Sequence, residues 1–458
     1  MGKEFSIEPI KVPGVDTKYR RITTALPAPE SIKTLETLRD VEPISMRGQP
    51  PLVWDRAEGF QVHDAYGNMW LDFSCGVLVA NAGHGTKAIC DAIRDQVDSG
   101  LIHNYCFPSE ERAQLVALLH EIAPVELEKV FLLTTGSEAT ECAIKLARTH
   151  GIAKGGDKKI GIVGADRGYH GRTLASQMTG GIPGQKDWIV NLDPAIVQVP
   201  WPDGYWTEDT SFDLFLKTLE ERGMAPENVA GVMFETFQGV GPDFAPVEYI
   251  GKLRQWCDDN EVVLIFDEVQ AGFGRTGKMW GFEHYGVTPD LICIGKGVTS
   301  SLPLSGVIGK TEIMDAYPPG SMTSTHTGNP LSCRAAIASI RSLIDEDLIG
   351  NAARLESVLS DSIEAIAKKH SDIIGRTSAR GLVGGLQVVK PGTREPSHDL
   401  AFDIIERAFH KGLLLFAPVG AWGQTVKLAP PLCINKDALE EGLEILSGCV
   451  DEAVDALE

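Results

Sequence analysis

The sequence predicts an α/β protein, with a large domain built on a mainly parallel sheet and a smaller α+β unit. Two observations carry this. Up to about residue 330, short apolar runs alternate with helix-like segments, the pattern of strands covered on both faces by crossover helices. After Asn329-Pro330 the alternation stops, and a long amphipathic stretch opens a final segment of roughly 125 residues, large enough for a core of its own.

The elements follow in order. Residues 1–40 are rich in proline and charge and read as an irregular arm. "GFQVHDAYGNMWLDF" (59–73) alternates and bends at Tyr66-Gly67-Asn68 like a hairpin. "KVFLLTT", "KIGIVGA", "AGVMFET", "VVLIFDEV", "LICIGK" and "LSGVIG" read as buried strands. Beyond Pro330, "LSCRAAIASIRSLI" begins a helical stretch that runs to His370. "GLVGGLQVV" and "LLLFAPVG" read as strands around a helix in "LAFDIIERAFHKG", and a last helix starts at Asp437.

Composition excludes several classes. A chain of 458 residues, 43% hydrophobic and 23% charged, has the balance of a soluble globular protein. Its net charge of −21 argues against nucleic acid and anionic membrane surfaces, which need excess positive charge. Nine cysteines without a Cys-x-x-Cys pair suggest neither a disulfide framework nor a metal site. No signal peptide or membrane span is visible, so a reducing cytoplasm is expected. "MGKEFS" formally fits an acylation pattern at Gly2 with Ser6, a weak signal in a chain of this composition.

Four stretches carry chemistry. In "LLTTGSEATECAIKLARTH", a strand ends and Gly136-Ser137 open a helix whose first N–H groups and dipole favour an anion. Glu141 lies four residues before Lys145, the spacing of a helical ion pair. The plain alternative is an ordinary capped helix; no Walker lysine follows. In "GYHGRT", Tyr169 and His170 put aromatic surface at a strand end, and Arg172 offers a fork for a carboxylate. A surface loop with a paired arginine is the alternative. In "VVLIFDEVQAGFGRTGKMWG", Asp267 emerges from an apolar run at the carboxyl end of a strand, where open α/β sheets bind ligands. A metal shared with Glu268 is disfavoured, because neighbouring strand residues point to opposite faces. Finally, Lys296 in "LICIGKGVTSS" follows the next strand; it is either a solvated turn residue or a desolvated nucleophile. Together these supply an anion cradle, a stacking ring, an acid for a ring nitrogen and an amine for an aldehyde. Pyridoxal 5′-phosphate requires that combination. No Gly-x-Gly-x-x-Gly follows a strand, which argues against a nicotinamide or flavin dehydrogenase.

The stretch "FDEVQAGFGRTGKMWGFEHYGVTPDLICIGKG" resembles the class III aminotransferases, of fold type I among the pyridoxal-phosphate enzymes. The resemblance runs from "PLVWDRAEGFQVHDAYGNMWLDFSCG" to "KLAPPLCI". It implies Lys296 as the Schiff-base lysine and Asp267 as the partner of the pyridine nitrogen. Gly136 and Ser137 then bind phosphate, Tyr169 (beside His170) and Val269 pack on the ring's two faces, and Gln270 lies near its phenolic oxygen. Thr325, in "STHTGNP", would reach the phosphate of a neighbouring subunit, which implies a homodimer with shared sites; assembly into tetramers stays open. The small domain would combine both ends of the chain: residues 1–69 as arm and small-domain segment, 70–335 as the large cofactor-binding domain, and 336–458 as the rest of the small domain.

For substrate, the resemblance points to Arg172 for a distal carboxylate, and Val77 is expected among the substrate-binding residues. Glu235 matches an acid that pairs with a second arginine, and Lys427 stands where that arginine is expected. Lysine is a point charge, so the exchange is not conservative. Thr236 and Thr327 replace a proline and a glycine common in the family and are expected at the pocket wall. The expectation is an ω-aminotransferase that moves an amino group from a 4-aminobutyrate-like donor to 2-oxoglutarate or pyruvate, with no metal. An aminomutase, a decarboxylating transaminase and a catalytically silent scaffold of the same fold are the alternatives.

Overall fold

A computed structural model describes residues 3–457, so Gly2 of the acylation pattern lies outside the described residues. The chain forms two compact units, one from Lys87 to Ile349 and one from the segments before and after it. The divisions expected from the sequence stood at residues 70 and 336.

The larger unit holds a seven-stranded sheet: β1 (Lys129–Leu133), β2 (Gly161–Ala165), β3 (Ile196–Val199), β4 (Val229–Glu235), β5 (Val263–Asp267), β6 (Leu291–Ile294) and β7 (Ser305–Gly309). Their order is β1-β7-β6-β5-β4-β2-β3. Only β7 runs antiparallel to its neighbours; the rest of the sheet is parallel. β2, β4, β5, β6 and β7 are buried at every position, which is why they read as unbroken apolar runs rather than alternations. β3 was not legible in the sequence: it is four residues at the sheet edge, with a polar Gln198 inside.

Helix α1 (Gly136–Gly155) follows β1 directly. Ala139, Cys142, Ala143, Leu146 and Ala147 are buried along one stripe, facing Ile265 and Cys293 in one core cluster. Its start is fixed by a capping box: the Thr135 side chain accepts from the Glu138 N–H, and the Glu138 carboxylate accepts from the Thr135 N–H. The expected Glu141–Lys145 pair does not form. Glu141 instead accepts from the N–H groups of Ala175 and Ser176 at 2.8 and 3.1 Å, and Lys145 lies over the Tyr317 ring. Orphan helix donors outcompete a solvated ion pair.

The stretch expected as one helix to His370 is two, Pro330–Asp345 and Leu348–Lys369, broken where Asp347 adopts φ +51°. The first belongs to the larger unit.

In the smaller unit the two chain ends share one sheet. Strand Met69–Asp72 pairs antiparallel with Gln61–His63 and parallel with Leu413–Leu414. Trp70 anchors the join, stacking on Phe409 and donating to its carbonyl at 2.9 Å. A second antiparallel sheet contains Ile374–Arg380, Val383–Val388 and Thr425–Leu428. The N-terminal arm is less irregular than expected, with a helix at Ile32–Val41. Of "LLLFAPVG", only Leu413–Leu414 is strand. Among the described residues no helix is long and apolar enough to cross a membrane.

Candidate active site

The carboxyl ends of β4, β5 and β6 set the floor of the site. Asp267, last in β5, is in register with Glu235 on β4 and Cys293 on β6. Side chains in register on adjacent parallel strands leave the same face, so the two carboxylates are neighbours. Glu268 turns the other way, accepting from the N–H groups of Gly281 and Phe282 at 2.8 and 2.9 Å. The pair cannot hold one ion.

A cavity opens here between these strand ends and the start of α1. Asp267 is buried at its base. Its Oδ1 accepts from the Val269 N–H at 3.0 Å, and its Oδ2 lies 2.8 Å from His170 Nδ1. Burial works against a charged His170, yet the hydrogen bond and charge of Asp267, with help from Glu235, raise its pKa. Sequence reasoning expected His170 beside the ring; in the structure its Nδ1 partners the acid.

Lys296 follows β6 in a single 3-10 turn, with φ +43° between Gly295 and Gly297. A non-glycine residue in this region is strained, and such strain is kept where the surroundings hold the residue. Its side chain lines the same cavity as Asp267. Removal from water pulls the ammonium below the usual lysine range, against the charges of Asp267 and Glu235.

The opposite wall is the start of α1. Gly136 lies under Val269; a Cβ there would meet Val269 Cγ1 at 3.0 Å. Gly171 has φ +125°, and a Cβ on it would stand 2.2 Å from Ser137 Oγ. The Arg172 N–H donates to that Oγ at 3.3 Å, so the "YHGRT" loop and the helix start hold each other. Thr140, which the sequence did not single out, donates from inside α1 to the His170 carbonyl at 2.8 Å. A polar residue on the buried stripe was the available signal.

Glu235 accepts from the N–H groups of Tyr169 at 3.0 Å and Gly239 at 2.8 Å. Burial pushes its carboxyl up to about 7, with Asp267 adding to the effect against His170. Tyr169, Val269 and Gln270 complete the lining. Arg172 is exposed, and neither it nor Thr325 is part of the wall. Thr236 and Thr327 are not wall residues either. Thr236 packs at the back, where its carbonyl accepts from the Tyr285 hydroxyl at 2.6 Å, and Thr327 donates to the Leu132 carbonyl at 2.6 Å. Lys427 and Val77 belong to the smaller unit. Lys427 is buried on strand Thr425–Leu428, and Val77 is half-exposed in a left-handed turn, φ +62°.

Solved transaminases share this fold. An aminotransferase from Bacillus anthracis superposes with a TM-score of 0.84 at 27% identity, over 92% of this chain and 99% of that one. A transaminase from a marine Virgibacillus gives 0.84 at 25% identity, over 93% and 100%. The architecture is that of the fold type I pyridoxal-phosphate transferases. Residues 44–450 match the family described as aminotransferase class-III, and the chain belongs to it. Among curated relatives, a 4-aminobutyrate aminotransferase of Mycobacterium leprae is 33% identical over 443 residues, covering 93% of this chain and 97% of that protein. A 5-aminovalerate aminotransferase of Pseudomonas aeruginosa is 32% identical over 411 residues, covering 88% and 94%.

The protein is therefore an aminotransferase that works with pyridoxal 5′-phosphate. The cavity fits that cofactor: a helix start kept open by Gly136 and Gly171 suits a phosphate, a buried acid with a fixed partner suits a ring nitrogen, and a desolvated amine shares the space.

Proposed function

We propose that the chain moves an amino group from the terminal amine of an ω-amino acid, of the 4-aminobutyrate and 5-aminovalerate kind, to a 2-oxo acid. The observation that carries the chemistry is the desolvated amine of Lys296 in one cavity with the His170-held Asp267. The relatives' named substrates support the choice of donor.

Pyridoxal phosphate, when bound, supplies an aldehyde for amine exchange and a ring that accepts electrons as a C–H bond next to nitrogen breaks. Lys296 would hold it covalently, Gly136 and Ser137 its phosphate, and Asp267 its ring nitrogen. Tyr169 and Val269 would cover the ring, with Gln270 at its edge. The amine of Lys296, when free, would take the proton from the donor carbon next to nitrogen and hold it at Nζ. His170 holds the Asp267 carboxylate in place through its Nδ1, 2.8 Å from Oδ2. The carbonyl product leaves before the 2-oxo acid enters, which gives ping-pong kinetics.

Arg172 is exposed one residue from Gly171 and makes no ion pair among the described residues, which supports its reading as the clamp for the donor's carboxylate. On this reading Glu235 shapes the substrate end of the pocket. A homodimer is part of the proposal: Thr325 stands on an exposed turn whose neighbours Thr323 and Asn329 bond to the exposed Tyr105 and Ile102, the kind of apolar surface a second copy covers. The acidic chain and its nine free cysteines suit a reducing cytoplasm.

A screen of amine donors against 2-oxoglutarate and pyruvate tests the substrate. Turnover of 4-aminobutyrate or 5-aminovalerate, weakened in Arg172→Ala through KM, is expected. Brisk use of α-amino acids with no turnover of any ω-amine would overturn it.

A further inference from the structure

Thr325 sits in a turn with few partners of its own, and the chain around it shows how that turn is held. Residues 323–328 lead into helix Pro330–Asp345. Inside the turn, the Thr327 N–H donates to the Ser324 carbonyl at 3.1 Å. Gly328 adopts φ +56° and lies against Arg112, so the chain reverses there with no room for a side chain. Tyr105 Oη lies 3.2 Å from Thr323 Oγ1, and Asn329 Nδ2 donates to the Ile102 carbonyl at 2.9 Å. These contacts bind the turn to exposed neighbours. Thr327 is different. Its side chain is buried, and its hydroxyl donates at 2.6 Å to the carbonyl of Leu132 on β1.

β1 is the edge strand of the sheet, paired on one side only, with Leu132 opposite Gly306 of β7. An edge strand turns unpaired carbonyls outward, and a buried one needs a donor. β1 also runs into Thr135, Gly136 and Ser137, the helix start that forms the phosphate cradle. One hydroxyl thus ties the Thr325 turn to the strand that carries the cradle.

We propose that Thr327 is a positioning residue for the cofactor: its hydrogen bond to the edge of β1 fixes the turn from which Thr325 is presented to the phosphate of a neighbouring copy. This rests on the reading of Thr325 given above. Glycine, the residue common in the family at this position by the sequence resemblance, has no hydroxyl and cannot make this tie.

The test uses the full-length holoenzyme. Cofactor release after dilution is followed by absorbance, and amide hydrogen exchange by mass spectrometry, in Thr327→Val, Thr327→Ser, Thr325→Ala and the Thr325→Ala/Thr327→Val double variant. Losing one buried hydrogen bond is expected to speed release by roughly fivefold to tenfold in Thr327→Val. Exchange should rise at 323–328, Thr327→Ser should behave like the wild type, and the double variant should release no faster than Thr325→Ala. If Thr325→Ala speeds release but Thr327→Val does not, the tether is wrong and the reading of Thr325 stands. If Thr325→Ala releases like the wild type, both are overturned. Exchange that rises along the whole of β1 and β7 in Thr327→Val would assign the hydroxyl to fold stability and overturn the positioning role.

Discussion

His170 Nδ1 stands 2.8 Å from Asp267 Oδ2 at the base of the cavity, with the imidazole fully buried and its Nε2 without a hydrogen-bond partner among the described residues. Burial works against a charged imidazole, and the hydrogen bond and charge of Asp267 more than offset it, so the pKa of His170 is raised.

Replacing His170 by glutamine is expected to slow the donor half-reaction by about 10- to 100-fold, as the acid loses its charged partner. The effect on stability should depend on pH. The folded pKa of His170 is raised, so its stabilisation is complete below the ordinary histidine value and is lost as pH rises through the raised one. The Tm gap between wild type and His170→Gln should therefore be widest under acidic conditions and shrink towards alkaline pH. A pH-independent gap would count against the ion pair.

Hydride trapping of the holoenzyme is expected to leave a pyridoxyl adduct on the peptide that carries Lys296, and Lys296→Ala should abolish it, and with it turnover. Lys296→Gly should do the same but fold more stably than Lys296→Ala. Glycine takes φ +43° without strain, which is worth about 1 kcal/mol. Equal melting of the two apo variants would show that the backbone at 296 stores no strain.

Gly171→Ala meets two obstacles, an unfavourable φ of +125° and a contact 2.2 Å from Ser137 Oγ. A loss of about 2–4 kcal/mol in stability and a marked drop in cofactor affinity are expected. Gly184→Ala is the control, since nothing lies within 4 Å of a Cβ there. Denaturant unfolding and cofactor titration on both variants decide it; equal behaviour would remove the argument for the cradle.

Glu235 titrates near neutrality, its pKa pushed from 4.5 to about 7 by burial. Between those values the folded chain holds a proton that the unfolded chain has released. Stability therefore falls as pH rises through this window, on the order of 3 kcal/mol for this one group. Glu235→Gln cannot release the proton, so its Tm should decline less than that of the wild type from about pH 5 to about pH 8. Glu268, also pushed to about 7, contributes the same slope in both proteins. Parallel Tm profiles would show that Glu235 is ionised throughout.

Much of this was legible in the sequence. Val263 to Asp267 read as a buried strand ending in an acid because a strand covered on both faces has to be apolar at every residue. Gly136-Ser137 read as a helix start, and the Thr135-x-x-Glu138 spacing that caps it stood in the same stretch unread. Such features are local: they depend on residues within one turn or one strand. They determined the α/β class, the cofactor and the choice of Lys296 and Asp267.

What the sequence left undecided are relations between residues far apart along the chain. That His170 would meet Asp267, 97 positions on, depends on β2 and β5 being placed in one sheet, which no local pattern encodes. What Thr140, Thr236 and Thr327 would bond could not be known until the sheet order set what each hydroxyl or carbonyl would face. Glu141 looked like half of an ion pair until packing offered it the bare N–H groups of Ala175 and Ser176. Side-chain chemistry is a property of residue type, whereas the partner that a buried polar group finds is fixed by which segments tertiary packing brings within hydrogen-bond reach.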